Sequence, residues 1–146
     1  MSTNSEIISK IVNYIENHIA EDLDLDLDRI AEISRYSKYH ICRMFTNEVG
    51  CGIHQYIQRR RLTDAARQLI YTEKTIIEIT FATGYGSQQA FSLAFKRLYL
   101  ESPQSYRRNK EFWPVQLKYV VNSKILQHKG KVSYGNFNME CEVKVA

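Results

Sequence analysis

The sequence lacks any apolar run near the ~18 residues that a membrane span requires. Its polar start, Met1–Glu6, has neither the basic region nor the apolar core of a secretory signal. Cysteine is scarce: Cys42, Cys51 and Cys141 are odd in number and form no CxxC pair, so a reduced cytoplasm is the expected setting. His18, His40, His54 and His128 show no metal-ligand spacing. No nucleophile–base pair and no Gly-rich phosphate loop appears either. These absences remove the membrane classes and leave no catalytic residue, metal site or cofactor to propose.

What is present is an ordinary soluble composition, 44% hydrophobic and 25% charged in 146 residues. The net charge of +4 conceals an asymmetry. Residues 1–28 carry one basic and seven acidic side chains, a net of −6. Residues 29–110 carry fourteen basic and six acidic, a net of +8, and residues 111–146 a net of +2. A basic middle points to a polyanionic partner, although a solvated helical surface can look the same.

Hydrophobic spacing predicts helices. Ile8, Ile11, Ile15 and Ile19, with Val12 beside them, form one face of a first helix. An acidic loop follows. Asp26 then caps a short helix with Leu27, Ile30, Ala31 and Ile33 facing inward. Ser37 caps another, whose buried face is Ile41, Met44 and Phe45, and Gly50-Cys-Gly52 stops it. Ile53 to Tyr71 reads as one long helix buried at Ile53, Ile57, Leu62, Ala65, Ala66 and Leu69. Thr75 and Glu78 have the form of a capping box, opening a helix with Ile76, Ile79 and Thr80 inward. After Gly84-Tyr-Gly86, Ser87 caps a helix buried at Phe91, Ala94, Phe95 and Leu98, and Ser102-Pro103 starts a last short one.

These segments repeat. Leu27, Ile30 and Ala31 lie 49 residues before Ile76, Ile79 and Thr80, and Tyr36 matches Tyr85. One inserted glycine later, Ser37, Ile41 and Phe45 lie 50 residues before Ser87, Phe91 and Phe95. A capped short helix, a tight turn and a capped second helix make the helix-turn-helix pattern, whose second helix enters the major groove. One copy is a weak signal; two in register inside a basic segment are much stronger. The ~19-residue connecting helix would span about 28 Å, near the ~34 Å between successive major grooves on one DNA face.

Tyr36-Ser-Lys-Tyr-His-Ile-Cys-Arg-Met-Phe45 is similar to the first recognition helix of the AraC/XylS family. Gly84-Tyr-Gly-Ser-Gln-Gln-Ala-Phe-Ser-Leu-Ala-Phe-Lys96 and Ser102-Pro-Gln-Ser-Tyr-Arg107 resemble that family's second unit and closing motif. The match covers about residues 7–109. The short spacers and the Ser-Gln-Gln resemble its Mar–Sox–Rob branch. The resemblance implies an activator of stress or multidrug-resistance genes that binds double-stranded promoter DNA as a monomer and recruits RNA polymerase in the cytoplasm. The expected organisation is all-α: a first helix-turn-helix subdomain (1–50), a linker helix (51–72), a second subdomain (73–110) and a short β-rich tail (111–146). The tail is expected from the alternation of Val115, Leu117 and Tyr119 and of Cys141, Val143 and Val145. Three fates stay open for it: part of a larger effector domain, packing on the helical units, or pairing between chains by an exposed edge.

On the first recognition helix Lys38, Tyr39, Cys42 and Arg43 lie opposite the buried face. Arg43 matches the two acceptors of a guanine edge, and Tyr39 can lay its ring against a thymine methyl. The resemblance places base contacts at Tyr39, Cys42 and Arg43. Ser37, Lys38, His40 and Thr46 read as phosphate contacts, which position the helix without selecting sequence. On the second helix Gln88, Gln89 and Ser92 face outward, where glutamine can pair with adenine, and Lys96 and Arg97 can anchor phosphates. Two residues depart from the family pattern. Leu93 stands where relatives often carry a base-contacting arginine, so the second unit is expected to read DNA more loosely. Arg35 occupies a turn position where glycine is expected, as at Gly84. Arg59-Arg-Arg61 lies mid-helix, so its three side chains diverge and do not make one patch. A repressor or antagonist using the same surface, and a helical module that grips a partner protein, remain the competing readings.

Overall fold

The computed structural model describes residues 3–20, 25 and 27–120. Seven helices follow one another: α1 (Asn4–His18), α2 (Leu27–Ser34), α3 (Lys38–Val49), α4 (Ile53–Tyr71), α5 (Ile76–Ala82), α6 (Gln88–Tyr99) and α7 (Pro103–Asn109). There is no strand among the described residues. They divide into two compact units, one running to Ile57 and including 118–120, the other spanning 58–117. The division falls inside α4.

In the first unit, Thr3 opens α1 with a reciprocal capping box: its hydroxyl accepts from Glu6 N while Glu6 accepts from Thr3 N. Ile8, Ile11, Val12 and Ile15 of α1 are buried against Ile30 of α2, Ile41, Met44, Phe45 and Val49 of α3, and Ile53, Tyr56 and Ile57 of α4. Each fully buried Ile stabilises by about 1.5–3 kcal/mol, so this single cluster holds three shorter helices, which would fray alone, against the start of α4. The cap expected at Asp26 lies outside the described residues.

Ile33 is a correction. It is 54% exposed rather than turned inward. The inward stripe of α2 is centred on Leu27, Ile30 and Ala31, and Ile33 sits on its flank in the last turn. There it faces a groove alongside α1 and not the core.

In the second unit Thr75 caps α5 by accepting from Glu78 N at 3.1 Å. Ser87 and Ser102 cap α6 and α7 in the same way. Aromatic rings fill the centre: Phe95 stacks on Tyr99 with centroids 4.6 Å apart, and Tyr106 meets both edge-on. Arg107 ties α7 to the end of α4. Its guanidinium donates to Leu69 O at 2.9 Å, a carbonyl the end of α4 leaves open, and to Lys74 O at 2.6 Å in the loop that follows.

No strand forms at 115–119, which corrects the first part of the expected β-rich tail. The chain bends at 115–116, so Val115 and Tyr119 are buried while Leu117, between them, is exposed. Side chains of helices take the backbone groups that a ladder would have used. Trp113 N donates to Tyr106 Oη at 2.7 Å, and Gln116 N to Thr63 Oγ1 at 3.1 Å. Arg60 Nη1 donates to Gln116 O at 2.8 Å. In the first unit Tyr119 N donates to Tyr56 Oη at 3.0 Å. The later alternation, Cys141 to Val145, lies outside the described residues.

Candidate nucleic-acid interface

Each unit presents one helix whose first turns are polar and solvent-facing. For α3 the cause is local. Ser37 sits in extended backbone (φ −66°, ψ 154°) and its Oγ accepts from His40 N at 3.1 Å, fixing where the helix starts. Its hydroxyl proton remains available to an outside acceptor. Ile41, Met44, Phe45 and Val49 anchor the helix in the core. With that face committed, Lys38, Tyr39 and Arg43 project together from the opposite side.

Tyr39 is 71% exposed. The Arg43 guanidinium carbon lies 5.6 Å from its ring centroid, and Nη1 reaches Tyr39 Oη at 3.5 Å. The pair, one helical turn apart, makes an exposed cation–π contact. Such a contact is worth only about 0.5–1 kcal/mol when exposed, so Arg43 is held in place without being locked. Lys38 pairs with Asp28 at the start of α2. His40 rests on the Tyr36 ring with centroids 5.0 Å apart. Cys42 and Thr46 are half-buried, and Cys42 is a free thiol.

On α6, Ser87 Oγ accepts from Ala90 N at 3.1 Å, and Phe91, Phe95, Leu98 and Tyr99 hold the helix. Gln88 and Gln89 are exposed and Ser92 is half-buried. Leu93 is 53% exposed. Lys96 and Arg97 project from the last turn. Gln89, Leu93 and Arg97 thus share one stripe at steps of four, as Tyr39, Arg43 and Asn47 do on α3. Asn47 was passed over in sequence, although the 50-residue offset from Arg97 points to it.

The triple arginine behaves as its mid-helix position predicts. Arg59 is buried, and Arg60 is spent on the Gln116 carbonyl. Among the described residues, no group of three or more His, Cys, Asp or Glu side chains could hold a metal ion. No described helix is long and apolar enough to cross a membrane.

The turns between paired helices also correspond. Arg35 and Gly84 hold left-handed backbone, with φ of 65° and 86°. The helix-turn-helix domain model matches residues 30–109. The chain belongs to the AraC/XylS family of helix-turn-helix transcription regulators. It is 37% identical over 105 residues to the regulatory protein SoxS of Salmonella typhimurium, an alignment covering 72% of this chain and 96% of that protein. It is 38% identical over 106 residues to the right origin-binding protein of Escherichia coli, covering 73% of this chain and 36% of that one. The chain therefore spans little more than a third of that relative's length. Among solved structures, the C-terminal domain of AraT, a response regulator from Geobacillus stearothermophilus, superposes with a TM-score of 0.67 at 31% identity, over 83% of this chain and 95% of that one.

Proposed function

We propose that this AraC/XylS-family chain is a sequence-specific transcription activator that binds double-stranded promoter DNA through α3 and α6. The supporting observation is the pair of capped helices, equivalent in register, each anchored by a buried apolar face and each presenting its first turns outward. Arg43 is the principal reader. Its fork matches the O6 and N7 acceptors of guanine, and the Tyr39 ring beneath it both orients the fork and offers a surface to a thymine methyl. Cys42 lies against the edge of the same base step.

Ser37, Lys38, His40 and Thr46 engage phosphates and set the register of α3. Lys38 exchanges Asp28 for phosphate as it does so. On α6, Gln88, Gln89 and Ser92 contact base edges, while Lys96 and Arg97 hold the backbone. Leu93 donates no hydrogen bond, so the second unit contributes affinity more than discrimination. The chain acts as a monomer in the cytoplasm, because two reading units on one polypeptide do what a dimer of single units does. It recruits RNA polymerase to promoters of a stress or drug-resistance response.

Electrophoretic mobility shift across a salt series tests the reading. With the three phosphates that Lys38, Lys96 and Arg97 neutralise, affinity should fall by about 40-fold between 50 and 200 mM salt. Retention of a specific complex without that salt dependence, or no complex at low salt, contradicts it. Transcription in vitro with added polymerase separates activation from repression: a rise in transcript is expected, and a fall contradicts the activator assignment.

A further inference from the structure

The flank of the first unit carries a groove of about 410 Å³ between α1 and α2, within the size range of sites for small organic molecules. Its floor is apolar, formed by edges of Ile7, Ile11 and Ile30. Tyr14, Ile33 and Tyr36 make its walls, and this is where the half-exposed Ile33 finds its environment. Two exposed cations, Lys10 and Arg35, complete the lining with Ser34, and no carboxylate is among the described residues that do so.

We propose that this groove is a binding site for a small amphiphilic carboxylate, with an aromatic or branched body of about ten to fifteen heavy atoms, as suits a pocket of this class. An apolar floor with two cations and no anion among the described lining residues selects that chemistry over a neutral or basic ligand. The body lies between the Tyr14 and Tyr36 rings. The carboxylate faces Lys10 and Arg35, whose fork suits a bidentate partner. Residues 33–36 are at once one wall of the groove and the turn that leads into α3. Tyr36 stacks on His40, in the first turn of that helix. A bound ligand is therefore felt at the start of α3. The site goes beyond the DNA-binding reading and stands without it.

Titration of the ¹⁵N-labelled full chain with 4-biphenylcarboxylate, and separately with the uncharged 4-biphenylmethanol, tests the assignment by NMR. Saturable shifts are expected at the amides of residues 7–14 and 30–36, extending into residues 37–40, with the carboxylate binding at least tenfold more tightly than the alcohol. The double variant Lys10→Gln/Arg35→Gly keeps a residue suited to left-handed backbone at position 35 and should abolish that preference. Equal binding of acid and alcohol, shifts centred elsewhere, a preference that survives the double variant, or no saturable shift at millimolar concentration overturns the proposal.

Discussion

Arg35 and Gly84 occupy the same left-handed turn position in the two repeats, and the C-caps of α3 and α6 show the converse, Gly50 at φ 96° and Leu100 at φ 65°. Each repeat thus places an ordinary residue at one of its two strained positions. A left-handed conformation costs a non-glycine residue about 1–2 kcal/mol, while introducing glycine loosens the unfolded chain by about 0.4–1 kcal/mol. The strain is the larger of the two, so Arg35→Gly should raise stability by about 0.5–1 kcal/mol in urea denaturation. Gly84→Ala, the reverse exchange, should lower it by about 0.5–1 kcal/mol. A loss of stability in Arg35→Gly would mean that the arginine side chain stabilises the turn by more than the strain costs. The residues proposed to read DNA separate in the same manner. Arg43→Ala should remove about 1–3 kcal/mol of discrimination at one base pair, measured as the affinity ratio for matched and mismatched sites. Leu93→Ala should leave that ratio unchanged.

At the scale of elements, the helices were legible because their apolar residues recur at steps of three and four between recognisable caps. Ser37, Ser87 and Ser102 all cap where their positions predict. Ile33 was misread because periodicity locates a stripe but not which flank of it a short helix leaves open. The 115–119 alternation was misread because a bend also buries residues four apart. The repeat itself runs further than its helix-turn-helix cores. Gly52 and Ser102 precede α4 and α7, and Tyr56 and Tyr106 lie 50 residues apart, both buried, each edge-on to its repeat's phenylalanine at 5.6 and 5.4 Å. Each hydroxyl then takes one backbone N–H of the chain after α7, Tyr119 N for Tyr56 and Trp113 N for Tyr106. The sequence shows the two tyrosines but not their partners, which lie 63 and 7 residues away. Tyr56→Phe and Tyr106→Phe should each cost about 1–3 kcal/mol, because a buried N–H loses its acceptor while the ring packing survives. Hydrogen exchange should quicken at Tyr119 in the first variant and at Trp113 in the second; exchange unchanged in both contradicts these assignments.

For the molecule as a whole, burial pushes the Tyr106 and Tyr119 phenols up to about 12, with Glu48 adding to the effect on Tyr119. The unfolded chain gives up these protons near pH 10. Their contribution is therefore complete below about pH 10 and is lost as pH rises toward 12, where the folded state also ionises. Thermal stability should show no loss from these groups between pH 7 and 9 and should fall between pH 10 and 12, less steeply in the Tyr106→Phe and Tyr119→Phe variants. Two equivalent helices on one chain are thus unequal: the first presents a guanidinium over an aromatic ring, the second glutamines beside a leucine. Selection of binding sites from random double-stranded DNA measures this directly. The enriched site should contain two separated blocks of unequal information, the stronger flattened by Arg43→Ala and the weaker left largely unaltered by it. Two blocks of equal strength, a stronger block that persists in Arg43→Ala, or no enrichment at all would contradict it.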